Sequence, residues 1–176
     1  MITGLYRNGA HINPEIVSPH FIAPDATLIG DVKIGKEVSI FFGAVLRGDL
    51  EPVRVGDKTN IQEHSMLHTT RGRSPCEIGS GVTVGHRAII HGANVGSNCL
   101  IGMGSIILDD SKISEHSLVG AGSLVTEGKV FPPRSLILGS PAVVIRELSD
   151  KEIDGIINAA NAYIKTGQEL AQALGV

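Results

Sequence analysis

The chain has 176 residues, of which 22 are glycine and none is tryptophan; aromatic residues supply 3% and charged residues 19%. A hydrophobic share of 42% provides material for a core and excludes wholesale disorder. The formal charge of −3 excludes a nucleic-acid surface as the first reading, because phosphate contacts need clustered Lys and Arg. One domain is the default at this length, and a core so poor in rings must pack small aliphatic side chains in regular layers.

The first residues, Met1-Ile2-Thr3-Gly4-Leu5-Tyr6-Arg7, lack the basic start and apolar stretch of a signal peptide. No apolar run approaches the roughly 18 residues needed to span a bilayer. Cys76 and Cys99 show no CxxC spacing and read as buried small residues in a reducing compartment. These features predict a cytoplasmic protein with no membrane partner.

Aliphatic residues then recur every six positions: Ile22, Leu28, Ile34, Ile40 and Leu46; Val55, Ile61 and Leu67; Ile78, Val84 and Ile90; and Val95, Ile101, Ile107, Ile113, Val119 and Val125. Several precede glycine, as in Ile34-Gly35, Val55-Gly56, Ile78-Gly79 and Val95-Gly96, where the backbone is expected to need unusual dihedrals. A period of six suits neither an amphipathic helix nor an alternating meander. It suits short strands joined by tight turns, the hexapeptide pattern of a parallel β-helix. The pattern resembles the left-handed β-helix family, in which three hexads make one triangular coil; the handedness rests on that resemblance. Three columns follow. Face one carries Ile22, Ile40, Ile61, Val84, Ile101 and Val119, face two Leu28, Leu46, Leu67, Ile90, Ile107 and Val125, and face three Ile34, Val55, Ile78, Val95 and Ile113.

The step is nine between Leu46 and Val55 and eleven between Leu67 and Ile78, which predicts loops leaving the prism; between Ile90 and Val95 it is five. Pro132, Pro133 and Pro141 punctuate the exit from the repeat. Ser149 with Glu152 then reads as a capping box, and Ile153, Ile156, Ile157, Ala160 and Ile164 recur at helical spacing, with Gly155 weakening the helix. The expected fold is therefore mainly β. It is a left-handed parallel β-helix over residues 1–148 with a short N-terminal lead-in, followed by a C-terminal helix over residues 149–176 packed on it or on a neighbour's.

His68 follows Leu67 and His91 follows Ile90, so both take one slot on face two, one coil apart. At about 4.8 Å between strands, both imidazoles can reach one metal at roughly 2.0 Å. His86 lies two residues after Val84, on face one, beyond a corner from His91. A symmetric trimer would set face one of one subunit against face two of the next, which predicts a site shared across an interface. Any one of these residues alone reads as a surface histidine at a turn, as do His11, His20, His64 and His116. Three nitrogen ligands with an open position describe a catalytic zinc; iron(II) or cobalt fits the same set.

Val45-Leu46-Arg47-Gly48-Asp49, Thr59-Asn60-Ile61-Gln62-Glu63, Leu67-His68 and Val84-Gly85-His86-Arg87-Ala88-Ile89-Ile90-His91-Gly92 resemble the γ-class carbonic anhydrase family. Ile101-Gly102-Met103-Gly104-Ser105 and Gly139-Ser140-Pro141-Ala142 continue a likeness that covers nearly the whole chain. The resemblance implies a homotrimer of left-handed β-helices, with His68 and His91 given by one subunit and His86 by its neighbour. It implies a metal-dependent lyase that hydrates carbon dioxide to bicarbonate. Arg47 and Asp49 resemble the family's Arg–Asp pair, and Gln62 the glutamine that orients the reacting oxygen. Asn60 and Glu63 are weaker members of the cluster, and Asn161 and Tyr163 are expected to reach over the site from the last helix.

The sequence departs from the best-known member of that class at its acidic shuttle residues. Leu50 follows Asp49, with Glu51 one further on, and the loop Thr69-Thr70-Arg71-Gly72-Arg73-Ser74-Pro75-Cys76 is short and basic. That predicts weak hydration without affecting metal binding. Two other functions compete: acyl transfer or thioester hydrolysis on coenzyme A esters, usual among hexapeptide proteins, and a catalytically silent trimeric metal-binding module.

Overall fold

The computed structural model describes residues 1–18 and 20–175. Short parallel strands stack into a three-sided prism of about seven turns, a left-handed β-helix of hexapeptide repeats with one C-terminal helix. Face one pairs Ile22 with Ile40, Ile61, Val84, Ile101, Val119 and Ile137 in succession. Face two runs Leu28, Leu46, Leu67, Ile90, Ile107 and Val125. Face three runs Ile16, Ile34, Val55, Ile78, Val95, Ile113 and Phe131. The columns read from the sequence are the ladders of the structure, and their side chains form one continuous core: Leu28, Ile40, Ile61, Ile90, Ile101 and Ile107 are wholly buried. Each aliphatic side chain sits on its equivalents in the coils above and below, so the interior is layered as the composition requires.

Three details differ from the sequence expectation. The nine-residue step from Leu46 to Val55 is not a loop leaving the prism. Val45–Val55 is one extended strand, and the extra residues are absorbed by a register shift against Thr27–Ile34, where Gly30 pairs with Gly48 and Val32 with Val53. Both strands turn the corner between faces two and three, which joins those faces into one sheet. The eleven-residue step is a true loop between the strands Met66–His68 and Cys76–Ile78.

The second difference concerns glycine. Those after the aliphatic residues do not supply left-handed dihedrals; they let coils approach. A Cβ added at Gly56 would lie 2.7 Å from the carbonyl carbon of Gly79 in the next coil. The left-handed corner positions belong instead to residues such as Glu37, Lys58, Asn98, Asp110, His116 and Arg134. Third, the N-terminal segment is more than a lead-in. Ile2 pairs with Leu28 and Ile16 with Ile34, so it starts a further coil interrupted by the hairpin Leu5–Arg7/Ala10–Ile12.

Helix α1 (Asp150–Leu174) begins at Ser149, whose side chain accepts from the Glu152 N–H while Glu152 accepts from the Ser149 N–H. It continues through Gly155 and closes on Gly175 in the left-handed region; residue 176 of the expected 149–176 segment lies outside the described residues. Its buried face, Ile153, Ile156 and Ala160, covers face one, where Leu100, Leu118 and Leu136 project outward. The helix also touches the strands His20–Ile22, Val38–Ile40, Asn60–Ile61 and Thr83–Val84. Among the described residues no helix is long and apolar enough to cross a membrane. Cys76 and Cys99 are unpaired and buried, and burial pushes both thiols up to about 12.

Candidate metal centre

Because His68 and His91 hold the same position on adjacent strands, backbone pairing sets them side by side. His68 Nδ1 lies 3.1 Å from His91 Nε2. The other nitrogen of each ring meets a carboxylate: His68 Nε2 is 2.9 Å from Asp49 Oδ1, and His91 Nδ1 is 3.0 Å from Asp109 Oδ2. A carboxylate accepts, so the outer nitrogens carry the protons and the two facing nitrogens carry lone pairs. Two lone pairs at that separation repel unless a cation or donor lies between them.

Arg47 stands one coil before His68 and donates to Asp49 and, at 3.3 Å, to His68 Nδ1. Burial lowers the pKa of His68; Asp49 opposes this, and the charges of Arg47 and His91 add to it, so the net shift is downward. Burial alone would raise Asp49, but hydrogen bonds from His68 and Arg47 outweigh it and hold the carboxyl below its ordinary value. The result is a neutral imidazole beside an ionised carboxylate, the state in which a histidine binds a metal.

His86 is elsewhere. It lines a cavity of about 450 Å³ on face one with Gln62, Thr83, Leu100, Met103 and Tyr163, and its Nδ1 is 2.6 Å from Glu63 Oε2. Gln62 is buried and donates to Asn60 Oδ1 at 3.2 Å; Asn60 in turn donates to Thr83 Oγ1 at 2.9 Å. Tyr163 reaches the same cavity from α1 and packs edge-on against Phe41. The structure thus gathers Arg47, Asp49, His68 and His91 at one place and Asn60, Gln62, Glu63, His86 and Tyr163 at another. Asn161 is exposed and lines a different cavity with Lys58 and Asn98. Among the described residues of one chain, no three His, Cys, Asp or Glu groups converge to hold a metal.

The remaining histidines stand apart: His11 packs at a tilt against Tyr6, His20 lies beside Ser18, His116 contacts Asn98, and His64 sits exposed over Gly43. Asp109 was not evident from the repeat. Its signal is the five-residue step beside His91, which brings the corner at Gly92 under the corner at Asp109.

No protein-family model matches the chain. It is 48% identical over 155 residues to a carbonic anhydrase of Geobacillus kaustophilus, covering 88% of this chain and 85% of that one. The chain belongs to the γ-class carbonic anhydrase family. It is also 41% identical to the mitochondrial γ carbonic anhydrase 2 of Arabidopsis thaliana, covering 89% of this chain and 58% of the plant protein.

Among solved structures, a Bacillus cereus protein described as a candidate acetyltransferase matches with a TM-score of 0.90 and 42% identity, covering 92% of this chain and 94% of that one. A hexapeptide transferase family protein of Anaplasma phagocytophilum matches with a TM-score of 0.85 and 41% identity, over the same shares. The N-acyltransferase AntD of Bacillus cereus, at 20% identity and a TM-score of 0.68, shares the fold alone.

The donor set fits the metal ion of a γ carbonic anhydrase. Two imidazole nitrogens with inward lone pairs, each ring braced by a carboxylate on its far side, are the donor chemistry such an ion takes.

Proposed function

We propose that the protein is a metal-dependent carbonic anhydrase, hydrating carbon dioxide to bicarbonate reversibly, with zinc held by His68 and His91 of one subunit and His86 of its neighbour. The observation that carries this reading is the pair of facing nitrogens at 3.1 Å with both outer nitrogens on carboxylates. When bound, zinc supplies water acidified to a pKa of about 7 for attack on carbon dioxide. Iron(II) or cobalt would suit the same nitrogen set.

The trimer is supported by what each half of the site leaves open. Beside His68 and His91, an outward column on face two carries Val45, Met66, Ile89, Ile106 and Leu124, with Met66 and Ile106 exposed. The cavity holding His86 and Gln62 is walled largely by Leu100, Leu118, Val119, Ala121 and glycines. Unlike surfaces of these two kinds, meeting head to tail about a threefold axis, close into a ring.

In that arrangement Gln62 donates an amide hydrogen to the substrate oxygen, and Asn60 accepts the other amide hydrogen and fixes the side chain's orientation. Asp49 holds the proton on His68 Nε2, and Arg47 locks Asp49 in place. Tyr163 closes the cavity from α1, and its apolar walls suit a small uncharged gas. Proton removal is the weak step. Leu50 offers no carboxyl, and Glu51 is engaged by the loop, accepting from the Gly72 N–H at 2.8 Å. The β-helix unit ends before Ser149 and the helix Asp150–Leu174 covers it, and two buried thiols favour a cytoplasmic setting.

Stopped-flow hydration of carbon dioxide tests the reading, on protein of measured metal content loaded with zinc, cobalt or anaerobic iron(II). Hydration that rises with metal occupancy and vanishes on chelation is expected. One metal per subunit without hydration would move the search to acyl transfer, the activity for which the Bacillus cereus neighbour is named.

A further inference from the structure

We propose that Asp109 is the positioning residue of His91 and ties that ligand to the loop of residues 69–75; this rests on the metal-site reading above. Asp109 stands at a corner one coil beyond His91. Its Oδ2 faces His91 Nδ1 at 3.0 Å and accepts from Thr70 Oγ1 at 3.3 Å. The residue is 9% exposed, and Oδ1 is buried with no hydrogen-bond partner among the described residues. A buried acceptor left unmatched costs stability. An apolar side chain would fill this corner without that cost, so what the carboxyl adds is the grip of Oδ2 on His91 and Thr70.

The backbone makes room for that grip. A Cβ at Gly92 would lie 2.1 Å from Asp109 Oδ1, so the carboxylate occupies the space a side chain there would take. Gly92 directly follows His91, at the corner where the repeat steps by five instead of six. Its N–H donates to His68 O at 2.9 Å, and its carbonyl accepts from the Asp110 N–H at 2.8 Å. The shortened corner therefore stacks directly between the first histidine strand and the two aspartates.

Asp109 and Asp110 hold different partners. Asp110 accepts from Arg73 and Ser74, and Arg73 reaches on to Glu127. At the middle of the loop, Glu51 accepts from the Gly72 N–H. Arg73, one of the loop's two basic residues, is thus a strut between the acidic groups of Asp110 and Glu127. Movement of the loop is transmitted through Thr70 to Asp109 and so to the ring of His91. A carboxylate on the far nitrogen of a ligating histidine fixes its tautomer and raises its basicity, and removing such a group costs about 10- to 100-fold in metal affinity.

The test uses wild type, Asp109→Ala, Asp109→Asn and Thr70→Val, with two readouts. Nitrogen NMR of the histidine rings in metal-stripped protein reports the tautomer of His91, and competition with a chelator reports zinc affinity. Wild type is expected to carry its His91 proton on Nδ1. Asp109→Ala should lose that preference and about 10- to 100-fold in affinity. Asp109→Asn, which keeps the shape and one acceptor, should recover part of both, and Thr70→Val should lose less than Asp109→Ala. If Asp109→Ala does not fold, the isosteric Asn variant carries the test. Unchanged tautomer and affinity in the Asp109 variants, with wild type binding zinc, overturns the positioning role alone. Wild type that binds no zinc overturns the metal centre and this role with it.

Discussion

His86 and Glu63 meet at 2.6 Å on a face of the prism that holds neither His68 nor His91. A site built from all three histidines therefore has to be assembled from two subunits, and this can be tested by mixing. His68→Ala and His86→Ala proteins should each fail to bind metal. When the two are unfolded together in equal amounts and refolded, about one quarter of the sites should be intact, because random assembly pairs a good face two with a good face one that often. Metal content near zero in the mixture would mean that the ligands do not come from separate subunits.

Gln62 is fixed by Asn60 and touches none of the histidine pair. Gln62→Ala should leave metal content unchanged and lower kcat/KM by roughly 100-fold, the scale for losing one oriented donor at a reacting oxygen. Metal analysis alongside stopped-flow kinetics checks both halves of that statement.

The glycines separate into two kinds by what a methyl group would meet. At Gly56 it would strike the Gly79–Ser80 backbone of the next coil at 2.7 Å, whereas Gly128, in the left-handed region, has nothing within 4 Å. Gly56→Ala should cost about 3 kcal/mol through overpacking, and Gly128→Ala about 1 kcal/mol through its dihedral alone. Thermal melts of the two variants should keep that order.

Asp31 carries the anchor of the N-terminal hairpin, paired with Arg7 at 2.9 Å and Arg54 at 2.7 Å. Burial alone would raise its pKa, but hydrogen bonds from Arg54 and Arg7 outweigh it and hold it below the ordinary 3.8. The unfolded chain takes up this proton first, so the stabilisation is complete above the ordinary value and is lost as pH falls through the lower folded one. Urea midpoints measured between about pH 5 and pH 2 should fall more steeply for wild type than for Asp31→Asn. Parallel slopes would show that the pair adds nothing.

The three columns were legible because burial of one residue in six is enforced at every rung, and a ladder turns sequence spacing directly into register. The same logic placed His68 and His91 in one slot. Where spacing is interrupted, the sequence marks the place but not the contact made there. Ile2 and Ile16 extend the columns, but a hairpin separates them. Phe131 and Ile137 continue the six-residue step, but prolines 132 and 133 obscure it. The step from Leu46 to Val55 read as a loop because a register shift inside one strand leaves no compositional mark. Asp109 was hidden because its contact with His91 crosses a corner, where side-chain direction follows backbone dihedrals and not the period of six.

The spacing of the two facing nitrogens has its origin in the main chain. His68 and His91 are neighbours because their strands are hydrogen-bonded, so the distance between the two histidine positions is measured by a peptide ruler. The ruler stops there: Ile89 and Ile90 pair with Ile106 and Ile107 on the next rung, and the ladder ends before Leu108, which follows Ile107 as His91 follows Ile90. The other nitrogen of His91 is taken by Asp109, so the column is graduated once only, and the pair is tied to a single rung of the prism.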